Sequence, residues 1–227
     1  MHRFFADERG IADGIAYLNA EDAGHALRVL RLEVGDEVEL VCAPSRYLAQ
    51  IDAAENGEVR LRVTEKLRDT EAATRITLYQ GLPKADKMEW IIQKSTELGA
   101  AAVAPVAMSR CVVKLEGKDA AKKTERWQKI VSEAAKQCGR ARIPVVREPV
   151  PFEAAVEESA GATLPLFCYE GEGTLPLSRY TSEVREIESA AVMIGPEGGY
   201  STEEALYAKE HGMLMTGLGR RILRTET

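Results

Sequence analysis

The sequence is poor in the side chains that bind transition metals or form disulfide bridges. It has three histidines and four cysteines among 227 residues. The cysteines are Cys42, Cys111, Cys138 and Cys168, and no CxxC pair or metal-ligand spacing is present. We therefore expect no metal site. Scattered cysteines without a disulfide framework are typical of reduced thiols, which predicts a cytoplasmic protein.

Long apolar runs are also absent. No run approaches the ~20 residues that a membrane helix needs. The N-terminal segment MHRFFADERG lacks the apolar core of a secretory signal. The sequence therefore predicts no membrane contact. Hydrophobic residues still make up 45% of the chain, which suits one large globular domain or two small ones.

Several common catalytic signatures are missing. There is no GxGxxG and no GxxxxGK[ST], which argues against a Rossmann dehydrogenase and a P-loop enzyme. There is no GxSxG nucleophile elbow either, which argues against an α/β-hydrolase.

Charge is distributed unevenly along the chain. The net charge is −6, and residues 1–70 hold 9 Lys and Arg against 14 Asp and Glu. Residues 84–147 reverse this balance, with 14 Lys and Arg against 7 Asp and Glu. A local basic face attracts phosphate whatever the total charge is, although a charged segment is more often a solvated helix face.

Residues 1–68 form a small β-rich domain in our interpretation. Asp36–Cys42 and Glu58–Thr64 alternate apolar and polar residues, as half-buried strands do. Asn56-Gly57 is a hairpin signal, and Glu21–Arg31 is predicted to be a helix. Together these features predict a small barrel.

A polar stretch at 68–74 separates this module from a second domain, residues 74–227. Strand and helix patterns alternate there, which predicts an α/β fold with a mostly parallel sheet and helices on both faces. The predicted elements are Ile76–Gly81, Asp86–Leu98, Ala101–Ala107, Ala120–Cys138, Val145-Val146, Leu164–Cys168, Ala190–Ile194 and Met213–Thr216.

Two glycine-containing loops stand near the end of the chain. GPEGG at 195–199 follows the apolar run Ala190–Ile194 and precedes Ser201-Thr202-Glu203-Glu204, a capping box that starts a helix. The second loop, beginning at Gly217, follows Met213–Thr216. Strand ends of open α/β sheets bind ligands, so these loops, with Tyr169-Glu170-Gly171, predict a pocket lined by main-chain groups.

Seven blocks in order carry a resemblance to a known family. They are MHRFF at 1–5, HALRVLRLEVGD at 25–36, KADKMEWIIQKSTELG at 84–99, SRCVVK at 109–114, RWQKIVSEAAKQCGR at 126–140, IGPEGG at 194–199 and LGRRILRTET at 218–227. Together they resemble the knotted SPOUT methyltransferases and, within them, the 16S ribosomal RNA uridine N3-methyltransferases. The resemblance covers nearly the whole chain.

The resemblance implies a PUA-like RNA-binding barrel at 1–68 and a trefoil-knotted SPOUT domain at 74–227. It implies a homodimer that uses S-adenosylmethionine and acts on 16S ribosomal RNA within the small ribosomal subunit. In the family the chain normally continues past Thr227 into a helix that completes the knot and much of the dimer contact. The implied cofactor-binding residues are Tyr169, Glu170, Gly195, Pro196, Glu197, Gly198, Gly199, Leu218, Gly219, Ile222, Leu223 and Arg224.

Arg224 and Glu197 are the first candidates for the chemistry. Methylating uridine N3 requires loss of an imide proton, and a positioned cation stabilises the uracil anion that forms. Arg224 is our first candidate for that cation, ahead of Arg110 and Arg140. Glu197, or alternatively Glu170, takes the proton or attracts the cofactor's positive charge. The alternative for Glu197 is a loop carboxylate that accepts backbone N–H groups.

A larger set of polar side chains is predicted to bind RNA. Phosphate contacts of this kind give steep salt dependence, whereas each residue alone has a surface charge as its ordinary interpretation. The predicted RNA-binding residues are Arg3, Arg28, Arg31, Lys84, Lys87, Arg110, Lys114, Gln137, Arg140 and Arg142.

The sequence departs from the family pattern at three positions and leaves two rival functions open. Cys111 and Cys138 stand where related sequences usually have serine, and Arg220 replaces a common proline. One rival is a SPOUT methyltransferase of another ribosomal or transfer RNA base. The other is a non-catalytic RNA-binding protein with this fold, against which the intact GPEGG and RILRTET motifs argue.

Overall fold

Alternating apolar residues close the first part of the chain into a barrel. The computed structural model describes residues 1–68, 70–183 and 186–227. The first elements are β1 (His2–Ala12), β2 (Ile15–Leu18), α1 (Ala20–Gly24), a π-helix (His25–Val29), β3 (Glu37–Cys42), β4 (Ser45–Glu55) and β5 (Glu58–Lys66). The strands form a closed barrel in the order β1-β2-β5-β4-β3. Its core contains Phe4, Leu40, Ile51 and Leu61, all almost fully buried.

Local signals explain two details of this barrel. Asn56 and Gly57 both have positive φ angles, 53° and 81°, as the predicted hairpin turn between β4 and β5 requires. The predicted helix Glu21–Arg31 is present but ends at Val29, and its second half, from His25, is a π-helix that follows the α-helix Ala20–Gly24. Arg31 lies beyond both, with a left-handed φ of 56°, and therefore cannot be part of a regular helix.

A parallel sheet organises the rest of the chain. Its elements are β6 (Arg75–Gly81), α2 (Lys87–Glu97), β7 (Ala102–Ala107), α3 (Gly117–Cys138), β8 (Val145–Val146), β9 (Val150–Pro151), α4 (Phe152–Ser159), β10 (Leu164–Cys168), β11 (Leu175–Pro176), α5 (Leu177–Glu183), β12 (Ser189–Ile194), α6 (Thr202–Glu210) and β13 (Leu214–Gly217). The strand order is β11-β13-β10-β12-β6-β7-β8, with β9 beside β7. The predicted α/β class is confirmed, whereas the knot stays a prediction.

Helices cover both faces of this sheet. Adjacent residues of β6 belong to different core clusters. Leu78 shares one with Ile91 of α2 and Trp127 of α3. Tyr79 shares the other with Ala155 of α4 and Ala205 of α6. Strands that are buried on both faces are continuous apolar runs in the sequence. This is why the strand at Ala190–Ile194 could be predicted.

The chain divides into two compact units. One comprises Met1–Glu71 together with Lys136–Arg142, and the other comprises Ala72–Ala135 and Ile143–Thr227. The end of α3 and the turn after it thus belong with the barrel. Their attachment includes the ion pair of Arg140 with Glu71, whose closest N–O distance is 2.6 Å. No helix in the described parts of the chain combines the length and hydropathy needed to cross a bilayer.

Candidate active site

Four strand ends meet at one edge of the parallel sheet. Cys168 of β10 is in register with Ile194 of β12 and with Thr216 of β13, and Ile194 is in register with Gln80 of β6. The loops that follow β10, β12 and β13 therefore rise side by side and enclose a cleft of about 780 Å³. All twelve of the predicted cofactor-binding residues line this cleft.

The glycine loop 195–199 is held in place by the start of α6. Ser201 and Glu204 form the predicted capping box, in which the Glu204 carboxylate accepts a hydrogen bond from the Ser201 backbone N–H at 2.8 Å. Its other oxygen accepts the backbone N–H of Ser109 at 2.7 Å. One buried carboxylate therefore fixes both the glycine loop and the segment after β7 that carries Arg110.

Gly198 has a specific reason to lack a side chain. A Cβ atom there would lie 3.1 Å from Cβ of Arg110, which is tighter than ordinary van der Waals contact. The Arg110 guanidinium donates to the Gly198 carbonyl at 2.9 Å. Close packing against Arg110, in addition to any approach by a ligand, thus accounts for this glycine.

The loop 218–224, which we call the third loop, brings apolar side chains to the cleft. Leu218, Ile222 and Leu223 are 51%, 82% and 42% exposed. They are therefore not core residues, the alternative that their apolar character alone allowed. Exposed apolar side chains that line a cleft provide a wall for a flat apolar ligand group.

An aromatic cluster lies at the cleft, and two of its members, Tyr169 and Tyr200, line it. The rings of Phe167 and Tyr200 are 4.1 Å apart, and Tyr169 lies 6.3 Å from Tyr200. Burial raises the pKa of the Tyr200 hydroxyl well above its ordinary value and that of the Cys168 thiol to about 11. Both groups therefore stay protonated at neutral pH, and neither acts as an anionic nucleophile there.

Glu197 is already engaged within the protein. Its carboxylate accepts the Lys84 backbone N–H at 3.1 Å and pairs with the Lys87 ammonium at 3.0 Å. Burial alone would raise the pKa of this carboxyl, but hydrogen bonds from backbone N–H groups and Lys87 outweigh it, so the pKa lies below its ordinary value. A carboxylate held this way is a weaker base, which favours the loop-holding alternative.

Arg224 is open to a ligand. Its side chain is 82% exposed, and its ion pair with Glu226 is long, with an N–O distance of 4.0 Å. Arg110, Arg220 and Arg221 line the same cleft. The cleft thus has an arginine-rich rim, although the whole chain carries a net charge of −6.

Known proteins are similar to this chain in both sequence and fold. Residues 70–227 match the family model of the RNA methyltransferase domain. The ribosomal RNA small subunit methyltransferase E of Bacillus subtilis is 35% identical over 100% of this chain and 92% of its own length. The protein of the same name from Aquifex aeolicus is 30% identical over 100% of this chain and 95% of its own.

A solved structure agrees with these relatives. The ribosomal RNA small subunit methyltransferase E of Neisseria gonorrhoeae, bound to S-adenosylmethionine, superposes with a TM-score of 0.77 at 31% identity, covering 100% of this chain and 92% of that one. This chain belongs to the ribosomal RNA small subunit methyltransferase E family. The family resemblance seen in the seven sequence blocks is thereby confirmed.

Two of the predicted RNA-binding arginines already bond to other groups of the same chain. Arg140 is only 6% exposed and forms the buried ion pair with Glu71. Arg3 pairs with Glu39 at 2.8 Å and donates to the backbone carbonyl of Lys136. Moving Arg140 to a phosphate would leave the buried Glu71 carboxylate without its guanidinium, which is costly. Moving Arg3 would break its bonds to Glu39 and to the Lys136 carbonyl and leave buried Glu39 with Arg46 alone. We therefore remove Arg3 and Arg140 from the RNA-binding set.

The other predicted RNA-binding residues fall into two groups. Lys87 is half-buried between Glu197 and Glu226, so it bridges carboxylates. The remaining side chains are exposed: Arg28, Arg31, Lys84, Arg110, Lys114, Gln137 and Arg142. Arg28 lies in the last turn of the π-helix and Arg31 itself has a left-handed φ, features that are frequent at functional sites.

Three residues in or beneath the cleft were not predicted from the sequence. Gln80, Thr225 and Glu226 bond to the glycine loop or to Lys87 from segments far away in sequence, and no local pattern marks such pairs. Across the described residues, no cluster of three or more His, Cys, Asp or Glu side chains is placed to hold a metal ion.

Proposed function

We propose that this protein transfers a methyl group from S-adenosylmethionine to N3 of a specific uridine in 16S ribosomal RNA of the small subunit. The observation that carries the proposal is the convergence of all twelve predicted cofactor-binding residues on one cleft whose rim holds four arginines. The uridine N3 target rests on the sequence resemblance. Family membership and the S-adenosylmethionine bound to the gonococcal relative support the cofactor.

The residues present fit this cofactor. Leu218, Ile222 and Leu223 offer an apolar wall for an adenine ring, and the glycine loop offers main-chain donors and acceptors for its edge. Glu170 is exposed at the same cleft, where its charge favours a cationic ligand group. When bound, S-adenosylmethionine supplies an electrophilic methyl group.

Arg224 contributes most to the chemistry in this proposal. Loss of the N3 proton, to water or to a carboxylate of the cleft, places negative charge on the uracil ring, and that charge is consumed when N3 takes up the methyl group. An exposed guanidinium at the cleft is placed to stabilise the charge while it exists. Orientation is the second requirement, because alignment of the reacting atoms turns binding into rate. Arg110 and the other rim arginines would hold the RNA backbone in that alignment.

The barrel supplies a second RNA contact in this proposal. Arg28 and Arg31 are exposed there without a carboxylate partner among the described residues. A homodimer and an assembled small subunit as substrate, both taken from the family resemblance, and a cytoplasmic location, predicted from the scattered cysteines, complete the proposal.

Mapping the modified nucleotide tests this proposal. Small subunits without the modification are incubated with the protein and isotopically labelled S-adenosylmethionine, and the RNA is digested and analysed by mass spectrometry. We expect label in a single N3-methyluridine of 16S RNA. Large subunits and transfer RNA serve as controls. Label in another base, in transfer RNA or in no RNA would contradict the proposal and favour one of the two rival functions.

A further inference from the structure

A fully buried amide lies beneath the cleft. Gln80 is 0% exposed, and its Nε2 donates to the Thr225 hydroxyl at 2.8 Å and to the Gly81 carbonyl at 3.0 Å. It also lies 3.4 Å from the Gly195 carbonyl oxygen, to which the Thr225 hydroxyl donates at 2.6 Å. These bonds join the end of β6, the glycine loop and the segment directly after the third loop.

The backbone beside Gln80 is in direct contact with the glycine loop. A Cβ atom on Gly81 would lie 2.7 Å from both N and Cδ of Pro196. No larger residue fits there unless the loop moves. The glycine loop therefore packs directly on the end of β6. From there, the Gln80 side chain reaches Thr225, which directly follows the third loop.

The third loop has few other anchors. Leu218, Ile222, Leu223 and Arg224 are exposed. The segment that follows is tied down by Thr225, through Gln80 and Gly195, and by Glu226, which pairs with Lys87 at 3.2 Å. The position of the apolar wall relative to the glycine loop therefore depends on these bonds.

The bonding of Gln80 is not what stability alone would favour. Its Oε1 is buried and has no hydrogen-bond partner among the described residues. An unpaired buried amide oxygen costs folding free energy, and an apolar side chain of similar size would avoid that cost. What glutamine provides here, and an apolar side chain would not, is the Nε2 donor, which bonds to Thr225 and approaches the Gly195 carbonyl.

We propose that Gln80 is a positioning residue, which through the Thr225 hydroxyl sets the spacing between the glycine loop and the third loop for S-adenosylmethionine. The inference rests on the proposed function, because that function identifies the ligand of the cleft. Gln80 is enclosed and acts through Thr225, so substitutions at either residue have the same consequence for cofactor binding.

Calorimetric titration with S-adenosylmethionine tests this inference on four variants. Thr225→Val removes the hydroxyl at nearly constant shape, and Gln80→Met removes the amide. Each is expected to weaken cofactor binding about tenfold, because a buried partner is lost. Thr225→Ser keeps the hydroxyl and should bind within about twofold of the wild type. The Gln80→Met/Thr225→Val double variant should bind S-adenosylmethionine almost as well as the single variant with the lower affinity. The reason is that the two substitutions remove the same interaction.

Thr124→Val is the matched control. The Thr124 hydroxyl donates to the Ala120 carbonyl at 2.9 Å on α3, away from the cleft, so this variant should bind the cofactor normally. Thermal unfolding of every variant separates a general loss of stability from a change in the cleft. A purely structural role would lower Tm without a difference in affinity between Thr225→Val and Thr225→Ser.

Two outcomes would overturn the inference. One is wild-type affinity in Thr225→Val, and the other is fully additive losses in the double variant. If Thr225→Val does not fold, Gln80→Met alone carries the same prediction. A wild-type protein that binds no S-adenosylmethionine would instead remove the proposed function, and this inference with it.

Discussion

Arginines in the barrel strands and arginines at the cleft rim have different partners. In the barrel, Arg46 pairs with Glu39 at 2.6 Å, and Arg60 and Arg62 both pair with Asp52. At the rim, Arg220 and Arg221 have no carboxylate partner among the described residues, and Arg110 bonds only a backbone carbonyl there. An arginine that already pairs with a carboxylate gains little binding free energy from a phosphate, whereas an arginine without such a partner gains more.

This contrast shows why counting basic residues predicts RNA contacts poorly. Residues 84–147 have the larger positive excess, yet Arg140 within them is buried in an ion pair. The acidic barrel region nevertheless presents Arg28 and Arg31 without partners among the described residues. Availability of each cation, decided by tertiary contacts, matters more than the charge of its segment.

The largest effect is expected from Gly198→Val. The added side chain must occupy the space beside Arg110 Cβ, which a single Cβ already approaches to 3.1 Å, and it would push the glycine loop and Arg110 apart. We expect loss of S-adenosylmethionine binding in calorimetry, with the barrel still folded by circular dichroism. Gly198→Ala should bind with intermediate affinity. Unchanged affinity in the valine variant would exclude this cleft as the cofactor site.

Arg224→Ala should reduce turnover about 10²-fold or more while changing the affinity for either substrate much less. The charge that Arg224 meets exists mainly near the transition state, where a preformed cation gains most. Arg224→Lys should restore little, because an ammonium places its donors differently. Single-turnover rates at saturating RNA measure the effect.

Arg75→Ala is the control for this experiment, since Arg75 is exposed at the opposite, amino end of β6. A wild-type rate for Arg224→Ala at saturation would assign Arg224 to RNA binding and leave the stabilising cation unidentified.

Replacing the unpaired barrel arginines tests the comparison itself. Arg28→Gln/Arg31→Gln should weaken RNA binding and reduce the slope of log affinity against log salt by about 1 for each phosphate that is no longer neutralised. Arg60→Gln/Arg62→Gln removes the same charge from paired positions and should change the slope little. Binding curves at several salt concentrations measure both variants. Equal effects from the two pairs would show that ion pairing does not decide which cations bind RNA.

Glu197→Gln should have the smallest effect. If Glu197 holds the loop, turnover stays near the wild-type value, whereas loss of a general base costs about 10²-fold or more. The pKa of Glu197 is lowered in the folded protein, so its stabilising contribution is present above the unfolded value of about 4.3 and is lost as pH falls through the folded value.

The pH dependence of Tm provides the check on this role. Wild type should have a slightly higher Tm than Glu197→Gln at about pH 6–8. The difference should shrink as the pH falls below about 4.3 and vanish once the pH is below the lowered pKa of Glu197 in the folded protein. If the pH–rate profile of Glu197→Gln differs in shape from that of the wild type, Glu197 acts as the general base instead.

Much of the fold could be predicted from the sequence because the signals that specify it are local. The run Ala190–Ile194, the GPEGG turn and the Ser201–Glu204 box are contiguous in sequence, and each specifies its own geometry. Parallel strands then bring the loops after them to one edge. The cleft was predictable for that reason.

The partners of individual side chains were not predictable in this way. Gln80 and Thr225 are 145 residues apart, and Arg140 and Glu71 are 69 apart. Nothing in a local pattern connects such positions. For the same reason Lys87 reads in the sequence as an RNA contact, although it bridges Glu197 and Glu226. The π-helix after Gly24 was missed because its apolar spacing over a few residues resembles that of an α-helix.

Titration of the wild-type protein with S-adenosylmethionine, alongside Gly198→Val and Arg28→Gln/Arg31→Gln, tests the central claim most directly. That claim is that the cleft at the carboxyl edge of the sheet is the cofactor site and that the barrel serves RNA alone. We predict saturable binding at one site per chain in the wild type, equal binding in the barrel variant and none in Gly198→Val. Binding that survives in Gly198→Val, or that fails in the barrel variant while the protein remains folded, would contradict the claim.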